Sequence, residues 1–154
     1  MITFLLIIHG LTAVGLMGAL THQTISVWCQ GSRPKDSFAS RLSKVNPTSY
    51  TRAVIALYLI TFLLGAYIYP EYRMQARIVL EQMQLNEAAG AFELKEHFLT
   101  IGLGLLPAYY FSWTQLSEIR LQRSRNYLTS LLAIIVWWAY LTGHIVNNIR
   151  GFGS

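Results

Sequence analysis

The sequence predicts an all-α integral membrane protein, a four-helix up-down bundle with a short interfacial helix between the second and third spans. Three observations carry this. Residues 128–148 read LTSLLAIIVWWAYLTGHIVNN, with no charge beyond what His144 holds, and a helix of that length covers the about 30 Å of bilayer hydrocarbon. The 154 residues are 53% hydrophobic and only 12% charged, where soluble domains carry about 25% charge. The charges that exist fall between apolar blocks, as topology signals do.

The first span is expected over residues 2–28. It lacks the basic start of a signal peptide and its apolar run is too long for one, so it is read as a retained helix. Thr12, Gly15, Ala19, His22 and Ser26 recur at intervals of three and four, a small-and-polar seam on which another helix can pack closely. His9 lies on a neighbouring face with Ala13 and Leu16. Residues 30–48 form a polar connection in which Phe38, Leu42 and Val45 have helical spacing, either a short interfacial helix or an ordinary connector.

The second span is expected over residues 50–69, with Pro70 as its stop and Tyr67 and Tyr69 as an interfacial belt. Residues 71–85, EYRMQARIVLEQMQL, have helical periodicity and charge, and are expected on or just outside the membrane surface, breaking at Asn86 to Gly90. The third span, residues 96–113, aligns His97, Ile101, Gly104 and Ala108 on one face and carries Pro107 as a kink. The fourth is residues 128–148, and the whole chain is read as one transmembrane domain.

Basic residues set the orientation. Arg33, Lys35, Arg41, Lys44, Arg52, Arg120, Arg123 and Arg125 fall on one side, and Arg73, Arg77, Lys95 and Arg150 on the other with five of the seven acids. This predicts both short loops in the cytoplasm and both termini in the periplasm of a bacterial inner membrane. The same charges show no basic patch interleaved with stacking aromatics, so nucleic acid is not an expected partner. Cys29 is the single cysteine, which excludes an internal disulfide and a cysteine metal cluster.

That topology puts His9, His97 and His144 near the outer ends of three different helices, and His22 alone toward the cytoplasm. Ionisable groups in hydrocarbon are costly and are usually paired, water-facing or ligating. Neutral imidazole ligates iron, copper and zinc. Any two of the three can form the axial pair of a haem b, with His9 and His144 preferred because His97 is closest to the water. Gly10, Ala13, Gly104 and Gly143 offer room for a porphyrin, and Arg73 or Arg77 can pair with a propionate. A small copper or zinc ion on His9, His97 and His144, or on the face formed by Glu93, Glu96 and His97, is an alternative. The plain alternative is that each ring bonds a carbonyl or headgroup, no cofactor is bound, and the glutamates pair with Arg73, Arg77 and Lys95. His22, on the seam, is expected in an interhelical hydrogen bond.

Tyr69-Pro70-Glu71-Tyr72-Arg73, Arg77 and Lys95-Glu96-His97 resemble a family of small bacterial multi-pass membrane proteins with no assigned function. The likeness covers about 30 residues and implies a bacterial membrane protein without transferring an activity. The helix pattern is also analogous to haem-bearing membrane anchors of respiratory enzymes, at the level of fold alone. Two functions follow as expectations. One is a haem b or metal-binding electron-transfer subunit, passing electrons toward a quinone or a periplasmic redox protein and not catalytic alone. The other is a cofactor-free accessory subunit packed in the bilayer against a larger membrane complex or further copies of itself. A transporter is disfavoured because no span holds a mid-membrane acid or base.

Overall fold

A computed structural model describes residues 2–29, 47–115 and 120–152. Every element among them is helical. Four are long: α1 (Ile2–Cys29), α2 (Pro47–Tyr72), α4 (Asn86–Thr114) and α5 (Leu121–Phe152). The short α3 (Ile78–Gln82) is joined to α2 by a single π-helical stretch, Arg73–Arg77. The helices Ile2–Trp28, Ser49–Tyr72 and Leu121–Asn148 are long and apolar enough to cross a membrane, which marks the chain as a membrane protein. In α4 the charges Glu87, Glu93, Lys95 and Glu96 sit in the N-terminal half and dilute its hydropathy. The expected interfacial turn at Phe38, Leu42 and Val45 lies outside the described residues.

Pro70 does not stop the second helix. It stands inside α2, which runs through it to Tyr72, and the π-helical stretch begins only at Arg73. The break comes later and nearer than Asn86 to Gly90. Gln84 adopts φ 58°. Its N–H donates to the Glu81 carbonyl at 3.0 Å, and the Leu85 N–H to the Leu80 carbonyl at 2.9 Å. This is a Schellman ending, with Leu85 folded back on Leu80 in one apolar cluster. Asn86 to Gly90 then form the first turns of α4, with Glu87 favourably placed against the helix dipole.

α1 packs on α2 and α5, and α4 packs on the same two helices. The main core joins Leu16 and Leu20 of α1, Val54 and Tyr58 of α2, Leu106, Tyr109 and Trp113 of α4, and Leu132 and Val136 of α5. Hydroxyls on α1 donate back to its own carbonyls, Thr12 to His9, Thr21 to Met17, Thr24 to Leu20 and Ser26 to Gln23, so they cost little in an apolar setting.

Polar bonds between helices fix the register. The Tyr109 hydroxyl donates to Gln23 Oε1, and Gln23 Nε2 donates to Thr51 Oγ1 at 3.4 Å, tying α4, α1 and α2 together. Tyr50 donates to the Ala19 carbonyl at 3.0 Å and Tyr58 to the Leu99 carbonyl at 2.8 Å. Indole N–H groups of Trp28, Trp137 and Trp113 donate to Ser130, Thr21 and Thr129 at 2.8, 2.8 and 3.1 Å. Arg125 Nε donates to the Ser112 carbonyl at 2.9 Å, closing the turn between α4 and α5. These aromatics read from sequence as belt or core; Tyr58, Tyr109 and Trp113 are core.

Candidate functional site

The end of the helices remote from these turns holds a polar cluster to which all four long helices contribute. On α1, the His9 ring lies against Gly65 of α2, its Cε1 3.1 Å from where a Cβ at residue 65 would stand. A side chain at residue 65 would press the ring back by a few tenths of an ångström. His9 Nδ1 is buried without a hydrogen-bond partner, as is the Thr61 hydroxyl one turn before Gly65. From α4, Lys95 reaches inward with a side chain 12% exposed, its Nζ 2.9 Å from Glu96 Oε1. Its Nζ also stands 3.7 Å above the Phe92 ring centroid, a cation–π contact. The same Nζ is 4.0 Å from the position of a Cβ at Gly143 of α5. The charges of Lys95 and Glu96 both act on His9.

An aromatic layer covers the cluster. Tyr72 stacks on Phe92 with centroids 3.8 Å apart, and Tyr69 lies parallel to Phe92 at 6.3 Å. Leu80 and Val146 complete this second core. The continuation of the second helix past Pro70 is what carries Tyr72 and Leu80 over the end of the assembly.

His97 and His144 are not part of this cluster. His97 follows Lys95 by two residues, about 200° around the helix, so an inward Lys95 turns His97 outward. His97 is exposed, with Nδ1 2.9 Å from the Glu93 carbonyl of its own helix. His144 is exposed and lies parallel to Tyr140 of its own helix at 6.3 Å. No two of His9, His97 and His144 are in ring contact among the described residues, and no group of three or more His, Cys, Asp or Glu is placed there to hold a metal. His22 rests against the Tyr50 ring at 5.5 Å, and its buried Nδ1 lacks a hydrogen bond.

Arg73 is exposed. Arg77 already has two carboxylates, Glu81 Oε1 and Glu93 Oε1, each at 2.7 Å. The bond to Glu81, with the charge of Glu93, pushes the Arg77 guanidinium further above its ordinary range. Arg77 therefore links the π-helical stretch to α3 and α4. The pairs Arg77–Glu93 and Lys95–Glu96 are among the ion pairs expected of these glutamates.

Depth along the helices was readable in the sequence, and direction around them was not. Lys95 reads from sequence as a topology charge, and nothing in the sequence signals its inward aim. No family model, curated protein or solved structure matches the chain.

Proposed function

We propose that this chain is an accessory subunit of a bacterial inner-membrane assembly, an up-down four-helix bundle that packs against a partner in the bilayer through the outward face of α1. The pairs His9–Gly65 and Gln23–Thr51 support antiparallel α1 and α2, and eight basic residues against four support both termini in the periplasm.

One observation carries the packing proposal. Ile7, Leu11, Val14 and Ile25 are exposed, and Gly15 and Gly18 stand among them with no atom within 4 Å of a built Cβ. These six residues fall in an arc of about 100°. Each glycine in a helix interior costs about 1 kcal/mol against alanine, and here it relieves no contact among the described residues. Close approach of a second helix is what such a face provides in lipid. The test is the mass of the assembly in native gels after mild extraction. Gly15→Leu and Gly18→Leu are expected to leave thermal unfolding unchanged and to release the chain from a larger species. A chain that runs alone before any substitution overturns the proposal. A species that is a simple multiple of the chain assigns the face to a homo-oligomer.

The second reading is a haem b, copper or zinc subunit in electron transfer to a quinone or periplasmic partner, and what favours it is the unpartnered, buried Nδ1 of His9. His144 or His97 would have to turn inward to complete a pair, with exposed Arg73 available to a propionate. A reduced-minus-oxidised spectrum with Soret and α bands that disappear in both His9→Ala and His144→Ala supports it. Purified protein without chromophore or bound metal removes it.

A further inference from the structure

We propose that the outer groove between α2 and α4 seats one acyl chain of an anionic phospholipid, with the lipid phosphate held by Arg52. The groove is walled by Ala56 and Leu59 of α2 and by Leu103 and Pro107 of α4, and it ends at Arg52 and Tyr110. Its walls are apolar and its polar end is cationic, the two requirements of a phospholipid in one place. Arg52 is exposed, and among the described residues it has no hydrogen bond or ion pair.

Its depth fits a headgroup. The neighbouring Thr51 is level with Gln23, which in turn is bonded to Tyr109, so Arg52 lies at the end of the helices that leads into the two basic connections. Eight of the twelve Lys and Arg residues lie in or near those two connections along the sequence, whereas five of the seven acids lie within residues 71–96. A basic rim attracts anionic lipid, and a guanidinium binds a phosphate through two parallel bonds. A transmembrane helix in the groove would bring hydrocarbon without an anion for Arg52. A lipid brings both.

The experiment is native mass spectrometry of the full chain in detergent, titrated with phosphatidylglycerol and, separately, with phosphatidylcholine of the same chains. One phosphatidylglycerol per chain should be retained about fivefold to tenfold over phosphatidylcholine, the range of one charge-assisted contact near a membrane surface. Arg52→Gln should bring the two lipids to parity, and Arg123→Gln should keep the preference. Ala56→Trp fills the groove and should lower retention of both lipids; Leu103→Trp does the same from the facing helix if the first variant does not fold. Equal retention of the two lipids overturns the proposal, as does a preference that survives Arg52→Gln or that Arg123→Gln weakens as much. So does a dimer that Ala56→Trp splits, which would make the groove a seat for protein.

Discussion

The Tyr58 hydroxyl occupies the space that any side chain at Gly102 would need. Tyr58 crosses from α2 to donate to the Leu99 carbonyl of α4 at 2.8 Å, and a Cβ at residue 102 would collide with its hydroxyl and lie 3.0 Å from Cζ. Gly102→Ala should therefore lower stability by about 1–3 kcal/mol, the cost of overpacking. Tyr58→Phe removes the hydroxyl, so the double variant should be less destabilised than the sum of the two singles. Thermal unfolding of the four proteins in one detergent gives the comparison, and strict additivity would show that the two residues do not meet.

The amide of Gln23 serves two partners at once, accepting from Tyr109 and donating to Thr51. Hydrogen bonds between membrane helices are worth about 0.6 kcal/mol on average and up to about 1.7 kcal/mol. A Gln23→Leu and Tyr109→Phe cycle should return a coupling in that range. Gln23→Leu alone should cost more than the double variant, because it strands the buried Tyr109 hydroxyl. A coupling of zero, measured by unfolding in mild detergent, would refute the network.

Gln84 pays for the turn between α3 and α4 with a left-handed backbone, φ 58°. Glycine takes that conformation without a Cβ penalty, so Gln84→Gly should stabilise by about 0.5–1 kcal/mol. Gln84→Val should lower the midpoint instead, since a β-branched residue resists positive φ. Both are read as shifts of the thermal midpoint.

Arg77 holds the start of α4 through Glu93 while bonded to Glu81. The bond to Glu81 and the charge of Glu93 raise its pKa above the ordinary arginine value, so the arginine's contribution is complete below that ordinary value and fades only as pH climbs past the raised one. Across the neutral range the arginine stays charged and pH does not probe its side of the link. Salt does, because these groups are partly exposed and the screening length is about 10 Å at 0.1 M. Arg77→Gln should speed hydrogen exchange in residues 86–90, and added salt should move the parent protein in the same direction. Exchange that ignores both changes argues against the link.

A periplasm-dependent reporter fused after residue 154, or inserted at residue 84, should be active, and one inserted at residue 118 should be silent. The reverse pattern overturns the orientation drawn from the basic residues.

The helical class and the membrane setting were legible because runs such as residues 128–148 leave no other economical reading. Three features were not. Pro70 reads as a stop, yet α2 runs through it to Tyr72. Gln84 carries no sequence signal of a left-handed residue, so the break was sought at Asn86 to Gly90. The histidines share an end of the molecule, but a two-residue offset from Lys95 turns His97 away, and sequence depth says nothing of that rotation. The neighbour that does enter is Lys95, whose side chain is 12% exposed.

The interhelical hydrogen bonds described above cluster toward one end, around Gln23, Trp28, Tyr50 and Trp113, while the other is closed by the stacked rings of Tyr69, Tyr72 and Phe92. Directional bonds resist sliding; stacked faces shear with little resistance. One end is thus pinned by bonds of fixed direction, and at the other His9 and Lys95 lie beneath a ring stack that Arg77 and Glu93 tie down.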